Sequence, residues 1–154
     1  MLKSKIRNKL LKTRKNSNKK NIQIKFEKIY KLLKKITNLR DKIVGGYYPV
    51  NYEIDDLDIL GRLEKKKITI SLPSIKKNYK MNFIKCSLNA PFVLNQYGIP
   101  EPSSGTVVNP DILLVPLVAF DKNLNRLGYG AGYYDRLIES LKKKKKIITI
   151  GLAF

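Results

Sequence analysis

Residues 110–135 read PDILLVPLVAFDKNLNRLGYGAGYYD, and they carry the strongest local signals for secondary structure in the chain. Its first part predicts a strand over residues 111–115, which is apolar from Ile112 onward, as is typical of a strand buried on both faces of a sheet. Gly128, Gly130 and Gly132 follow at alternate positions, and a helix is predicted directly after them, over Tyr133–Leu141. Glycine lets backbone N–H groups approach a ligand closely, and such groups beside a helix N-terminus bind phosphate. The spacing matches neither a dinucleotide-binding loop nor a P-loop, so the glycines alone are equally consistent with a tight turn.

Helices and strands alternate on both sides of this stretch. The first predicted helix is Lys3–Lys15, and the third runs from Glu53 to Leu63. The second has an apolar face from Ile22 to Ile36, and Ser17 could cap it. The other predicted strands are Lys42–Tyr48, Lys67–Leu72, Tyr79–Cys86 and Ile147–Leu152. Pro49 and Pro73 are expected to end two of these strands, and residues 87–109 are expected to form a loop. The pattern predicts an α/β fold in one domain over residues 1–154: a three-layer, mainly parallel, Rossmann-like sheet with helices on both faces.

The composition excludes several kinds of chemistry. The chain has no histidine and one cysteine, which excludes an internal disulfide, a multi-cysteine zinc site, Ser-His or Cys-His catalysis and histidine-ligated metals. Any enzyme of this composition must act through positioning, carboxylates, cations, backbone amides or a hard metal ion. The cysteine, Cys86, lies in a predicted strand and is expected to be a buried, inert thiol.

The formal charge of +20 is weak evidence for a nucleic-acid partner. Clustered Lys and Arg favour binding to polyanions. However, only six of the 32 basic residues are Arg, the better bidentate partner for phosphate and guanine. Lys, Asn and Ile together supply 57 of the 154 residues, a bias that AT-rich codons would produce over the whole chain.

The stretch over residues 110–135 closely resembles the signature of the 5-formyltetrahydrofolate cyclo-ligases, also called 5,10-methenyltetrahydrofolate synthetases. In that family a strand "VPglaFD" precedes "RLGyGgGYYD", and this chain reads VPLVAFD and RLGYGAGYYD. The resemblance continues in order along nearly the whole chain. It includes a basic first helix with Lys3, Arg7 and Arg14, then Tyr48-Pro49 followed by Glu53, then Leu72-Pro73, and finally Tyr97 before the IPEP segment at residues 99–102.

The resemblance implies an enzyme that uses ATP and Mg²⁺ to convert 5-formyltetrahydrofolate into 5,10-methenyltetrahydrofolate, ADP and phosphate. ATP would phosphorylate the formyl oxygen at N5, N10 would attack the activated carbon, and phosphate would leave. The implied catalytic residues, which also bind the nucleotide, are Lys3, Arg7 and Arg126. The other residues implied to bind the nucleotide are Leu127, Gly128, Tyr129, Gly130, Ala131, Gly132, Tyr133 and Tyr134.

The same resemblance implies a folate site and a metal ligand. The residues implied to contact the folate are Tyr48, Glu53, Tyr97, Tyr129, Gly130, Ala131, Gly132 and Tyr133, and the implied Mg²⁺ ligand is Asp135. Simpler explanations remain for some of them: Lys3 and Arg7 could be solvated helix charges, Glu53 could cap a helix, and Tyr97 could belong to the core.

The chain also departs from the family pattern. It ends at Gly151-Leu-Ala-Phe154, inside a motif that relatives continue with another strand and another acid, so we expect a shortened C-terminal end and a less complete metal site. Leu117 stands where relatives usually have glycine and is expected to crowd the nucleotide side. Two other interpretations stay open on a degenerate scaffold: a basic nucleic-acid-binding protein, and a folate-binding protein without turnover. We otherwise expect a small-molecule substrate, no specific nucleic acid, no membrane, a cytoplasmic location and a monomer.

Overall fold

The computed structural model describes residues 2–17 and 22–154, and over these residues the chain forms four helices and ten strands. The helices are α1 (Leu2–Ser17), α2 (Phe26–Ile36), α3 (Leu57–Lys65) and α4 (Tyr133–Lys144). The strands are β1 (Ile43–Gly45), β2 (Thr69–Lys76), β3 (Lys80–Cys86), β4 (Phe92–Leu94), β5 (Pro100–Pro102), β6 (Val107–Val108), β7 (Ile112–Pro116), β8 (Ala119–Phe120), β9 (Arg126–Leu127) and β10 (Ile148–Leu152).

Six of the strands form one sheet in the order β10-β7-β1-β2-β3-β6. The pairings from β10 to β2 are parallel, whereas β3 and β6 run antiparallel to their neighbours. The remaining strands form two small antiparallel ribbons, β4 with β5 and β8 with β9. The predicted α/β class is confirmed, with a sheet that is parallel over four strands and antiparallel over the other two.

Strand β7 divides the core into two halves. All five of its residues are buried, and successive side chains of a strand point to opposite faces of the sheet. Ile112 and Leu114 belong to a core that includes residues of α2 and α3, whereas Leu113 and Val115 belong to a second core with Leu141 of α4. Helices therefore cover both faces of the sheet, as the sequence predicts. None of the helices in the described residues combines the length and apolar composition needed to cross a membrane.

Three predictions about strands and loops were wrong. β1 ends at Gly45, so Pro49 does not end it. β2 does not end at Pro73 but continues to Lys76, and Pro73 lies opposite Phe83 of β3. The backbone groups of Ser71 point towards β1, because its carbonyl accepts a hydrogen bond of 3.0 Å from the Gly46 N–H. Pro73 is two residues further along β2, so its backbone points to the same side. The pairing with β1 ends at Ser71, so no β1 residue lies opposite Pro73. The missing N–H of Pro73 therefore removes no bond to β3. Residues 87–109, predicted as a loop, contain β4, β5 and β6.

Two predictions about helix starts were also wrong. Ser17 is the last residue of α1 and does not cap α2, which begins at Phe26 after Lys25. The third helix begins at Leu57 rather than at Glu53. The Glu53 carboxylate accepts a hydrogen bond from the Val50 N–H, so it serves the turn before the helix and not the helix itself.

Candidate functional site

A cavity of about 570 Å³ opens at the carboxyl ends of β1 and β7, where Tyr47 and Tyr48 follow β1 and Pro116 ends β7. From β1 the chain continues through α3 to β2, and from β7 it continues through α4 to β10 on the opposite side. Because these two connections leave in opposite directions, the crevice between β1 and β7 is the topological switch point at which α/β proteins bind ligands. The fold alone therefore makes this cavity the candidate site.

All fifteen residues to which the sequence resemblance assigns a catalytic, binding or metal-ligating role line this one cavity. They come from four parts of the chain: α1, the loop after β1, the segment between β4 and β5, and the continuous segment from β9 through the Gly-rich loop (residues 128–132) into the start of α4. These residues are Lys3, Arg7, Tyr48, Glu53, Tyr97, Arg126, Leu127, Gly128, Tyr129, Gly130, Ala131, Gly132, Tyr133, Tyr134 and Asp135.

The Gly-rich loop connects the β8–β9 ribbon to α4. The Asp121 carboxylate accepts hydrogen bonds from the N–H groups of Asn123 and Asn125 in the turn of that ribbon. Gly130 and Gly132 have φ of 110° and 73°, a conformation that side-chain-bearing residues adopt only under strain. Gly132 is the N-cap of α4, so the loop leads into a helix start whose first N–H groups have no helical acceptor. Such a loop fits a phosphate group.

Helix α1 is held on the site mainly by arginine side chains. No residue of α1 is fully buried. Arg7 Nε donates to the Gly128 carbonyl (2.8 Å), so Arg7 lies against the Gly-rich loop. Two turns later, Arg14 donates to the Leu117 and Val118 carbonyls at 2.9 and 3.0 Å and contacts the Tyr129 hydroxyl at 3.3 Å. The sequence analysis predicted no contact for Arg14. Its spacing of seven residues from Arg7 places both side chains on one face of the helix, and this spacing could have indicated that Arg14 also faces the protein.

Glu53 lies in the inner part of the cavity beside Tyr129. Its carboxylate accepts the Val50 N–H at 2.8 Å, and the Tyr129 hydroxyl is a second partner. Burial raises the pKa of Glu53, and burial also raises the pKa of the Tyr129 phenol. The Glu53 carboxyl is therefore shifted towards its protonated form, which can both donate and accept hydrogen bonds.

A buried acid supports this wall of the cavity. Asp56 is fully buried and accepts a hydrogen bond of 2.9 Å from the Tyr47 N–H. Burial raises the pKa of Asp56 well above its usual value. Its second oxygen, Oδ1, and the buried Tyr134 hydroxyl have no hydrogen-bond partner among the described residues. The sequence placed Asp56 at the start of a helix and gave no signal that its side chain is buried.

Asp135 lies in the first turn of α4, where its carboxylate pairs with the Arg126 guanidinium. The Asp135 side chain is 75% exposed, so it is accessible to a solvated ion. Residues 2–17 and 22–154 contain no group of three or more His, Cys, Asp or Glu side chains that could hold a metal. Asp135 fits Mg²⁺ only as one ligand among several, with phosphate oxygens and water as the others.

Two further predictions concern residues that do not line the cavity. Leu117 does not crowd it: the side chain is buried and lies above Gly151 of β10, where an added Cβ would come within 2.5 Å of it. Cys86 is partly buried in β3, and burial raises the pKa of its thiol to about 11. At neutral pH the thiol is therefore protonated and a poor nucleophile, as expected.

Comparisons with known proteins agree on one family. The model of the 5-formyltetrahydrofolate cyclo-ligase family matches residues 1–154. A 5-formyltetrahydrofolate cyclo-ligase of Haemophilus influenzae is 36% identical over 121 residues, which cover 73% of this chain and 64% of that protein. One of Mycoplasma genitalium is 33% identical over 123 residues, covering 77% of this chain and 63% of that protein. The match thus spans slightly less than two thirds of the length of these relatives.

The solved structures support the same comparison. The NMR structure of an Aquifex aeolicus 5,10-methenyltetrahydrofolate synthetase superposes with a TM-score of 0.78 at 32% identity, covering all of this chain and 78% of that one. A 5,10-methenyltetrahydrofolate synthetase from Mycoplasma pneumoniae, at 22% identity, has the same fold with a TM-score of 0.66.

Proposed function

This chain belongs to the 5-formyltetrahydrofolate cyclo-ligase family, and from that premise we propose that it converts 5-formyltetrahydrofolate into 5,10-methenyltetrahydrofolate with ATP and Mg²⁺. The observation that carries the proposal is the convergence of fifteen residues from four parts of the chain on one cavity at the switch point of the sheet. The products besides the methenyl compound are ADP and phosphate. The substrate is a small molecule, so the proposal requires no nucleic-acid or membrane partner.

The nucleotide phosphates bind at the Gly-rich loop. Gly130 and Gly132 adopt a positive φ and carry no Cβ of their own, so their amides are open to a ligand, and Arg7 already lies against Gly128. Lys3 lies one helical turn before Arg7 on α1 and lines the same cavity. Phosphoryl transfer depends on charge neutralisation and in-line placement, which cations and backbone amides supply without histidine.

Asp135 would hold Mg²⁺ together with phosphate oxygens and water. The support for this role is an exposed carboxylate at the end of the Gly-rich loop, next to Arg126. A bound Mg²⁺ would supply further neutralisation of phosphate charge. Arg126, which precedes the loop and pairs with Asp135, contributes a second positive charge beside it and is proposed to contact the transferred phosphoryl group.

The folate binds with its pterin end towards Glu53 and Tyr48. The pterin presents a row of donors and acceptors, and a carboxyl group with a raised pKa can bind such an edge in either protonation state. Tyr97 lies at the outer rim, where its ring is about half exposed. The pterin end is thus proposed to occupy the enclosed part of the cavity and the rest of the folate to extend past Tyr97.

The reaction requires the formyl group and the γ-phosphate to meet between these two regions. The formyl oxygen attacks the γ-phosphorus, ADP leaves, N10 attacks the activated carbon, and the C–O bond breaks to release phosphate. The protein contributes proximity and electrostatic stabilisation, and no covalent intermediate with the protein is needed.

The proposal is tested by incubating the purified protein with ATP, Mg²⁺ and 5-formyltetrahydrofolate and following the methenyl absorbance. We expect turnover that depends on both ATP and Mg²⁺. Arg7→Gln should reduce this turnover strongly. Arg40→Gln, an exposed change just before β1, at the end of the parallel strands opposite the cavity, should leave it intact. A folded protein that binds 5-formyltetrahydrofolate without forming the chromophore would instead be an inactive folate-binding scaffold.

A further inference from the structure

A second cavity, of about 590 Å³, adjoins the first. The two cavities share Ile75, Asn95, Tyr97 and Tyr133 as lining residues. The hydroxyl groups of Tyr97 and Tyr133 are 2.9 Å apart, and their rings meet edge to face with centroids separated by 6.3 Å. The hydrogen-bonded tyrosine pair therefore forms the boundary between the two cavities.

The second cavity has a positive lining. The β2–β3 turn supplies Lys76 and Lys77, which are exposed and form no ion pair within the described part of the chain. Glu101 is the one acid that lines this cavity, and its two oxygens already accept hydrogen bonds from Ser74, Ile75 and Asn95. The two ammonium groups thus lack a protein counterion, and the cavity is suited to a ligand with carboxylates or other anionic groups.

Aromatic rings and an arginine extend this surface. Tyr79 packs against Tyr133 with ring centroids 6.1 Å apart, so Tyr97, Tyr133 and Tyr79 form a continuous aromatic wall. The Arg136 guanidinium lies 5.6 Å from the Tyr133 ring and donates to the Tyr79 carbonyl at 2.9 Å, which fixes the outer part of the wall. The path from Glu53 thus runs outward past aromatic rings to two unpaired cations.

We propose that the second cavity is the subsite for the anionic glutamyl tail of the substrate, with Lys76 and Lys77 binding its carboxylates. This inference rests on the proposed function: a folate has a pterin at one end, an aromatic ring in the middle and carboxylates at the other end. That order matches Glu53, the tyrosine wall and the two lysines. Each further glutamyl residue adds a carboxylate, so a longer tail gains more from the same two cations.

The test compares Lys76→Gln/Lys77→Gln with the matched control Lys142→Gln/Lys144→Gln, which removes the same charge from the exposed C-terminal turn of α4. Dissociation constants are measured by calorimetry for 5-formyltetrahydrofolate with one and with three glutamyl residues, and for the tail-free 5-formyltetrahydropterin. We expect the first variant to weaken binding of the monoglutamyl form about 3- to 10-fold, the magnitude of two partly exposed ion pairs. The loss should be larger for the triglutamyl form, absent for the tail-free compound, and smaller at high salt.

Several results would overturn the inference. An equal loss in the control pair would mean that only the overall charge matters. A raised KM for ATP with unchanged folate binding would assign the second cavity to the nucleotide phosphates. An equal loss for the tail-free compound would show that the lysines act on the pterin end. Because binding is measured directly, absence of turnover in the unaltered protein would refute the proposed function while these comparisons still decide the subsite.

Discussion

Replacing Arg14 by alanine should release helix α1 from the rest of the protein without unfolding the sheet. The helix has no fully buried residue, and Arg14 joins it to the end of β7 through the Leu117 and Val118 carbonyls. Lys3 and Arg7, the residues proposed to bind phosphate, lie on the same helix. Release of α1 should therefore weaken ATP binding even though Arg14 is proposed to make no contact with ATP.

The size of the effect follows from the contacts that are lost. A hydrogen bond from a charged donor contributes about 1.5–3 kcal/mol. The two carbonyl bonds, at 2.9 and 3.0 Å, come from the same nitrogen, Nη2, and are only partly buried, so together they should contribute about 2–3 kcal/mol. The 3.3 Å contact with the Tyr129 hydroxyl and the contact with the Phe154 ring, whose centroid lies 5.0 Å from the guanidinium, add little. The docking of α1 should weaken by about 2–3 kcal/mol, which corresponds to roughly 30- to 150-fold in its equilibrium constant.

Amide hydrogen exchange over residues 2–17, followed by mass spectrometry, measures this docking directly, and the KM for ATP measures its consequence. Arg14→Ala should accelerate exchange in α1 and raise the KM for ATP, with unchanged exchange in β7. Arg14→Lys should give an intermediate result, since one ammonium cannot reproduce the guanidinium geometry. Lys12→Ala, an exposed change on the same helix, is the control. The reasoning fails if Arg14→Ala leaves both exchange in α1 and the KM for ATP unchanged.

Three further predictions concern the cavity wall. Gly130→Val forces a side chain onto a φ of 110° at a strain of about 1–3 kcal/mol, so we expect a folded protein without ATP binding, and normal ATP affinity by titration would contradict the assigned role. Asp135→Asn should reduce turnover steeply, with partial recovery at high Mg²⁺, whereas Glu139→Gln on the same helix should not; an unchanged Mg²⁺ dependence would leave Asp135 only its ion pair with Arg126 in the first turn of α4. Because burial raises the pKa of Asp56, the folded state loses stability as pH rises above about 4, the pKa of an unfolded aspartate. Asp56→Asn should therefore raise the denaturation midpoint at pH 8 and much less at pH 4, and an equal shift at both pH values would exclude ionisation of Asp56 as the cause.

The sequence predicted the fold class because the decisive signals were local. The apolar run of β7 and the helical spacing of Phe26, Ile29 and Leu33 in α2 each lie within a few residues. Pro73 was wrongly predicted to end its strand because a proline within a strand is tolerated only where its nitrogen faces no neighbouring strand. That depends on where the pairing of β2 with the distant strand β1 ends, which the local sequence does not show. The acids before α3 were misjudged for a similar reason, since the Glu53 and Asp56 side chains bind backbone N–H groups of the preceding loop.

The resemblance to a family named fifteen of the residues that line the cavity, but not the others, such as Tyr47, Met81 and Asn95, and it did not give the contacts among them. Arg14 reaches carbonyls more than a hundred residues away, and no local pattern marks such a contact. The pairing of Arg126 with Asp135 was likewise not predicted, although each residue was named separately. The second cavity was missed because the lysines of the β2–β3 turn are indistinguishable, by composition, from the other lysines of a strongly basic chain.

The strand order also bears on how the chain assembles during synthesis. β1 and β2 are made first and lie side by side at the centre of the sheet. β3 and then β6 extend one side, and β7 and then β10 extend the other, so each new strand meets an edge that is still free when it emerges. No pair of strands has to separate to admit a later one. The sheet can thus grow in the order in which a ribosome releases it. The cavity is completed only after β7, when the Gly-rich loop and the start of α4, the last parts of its lining, have been made.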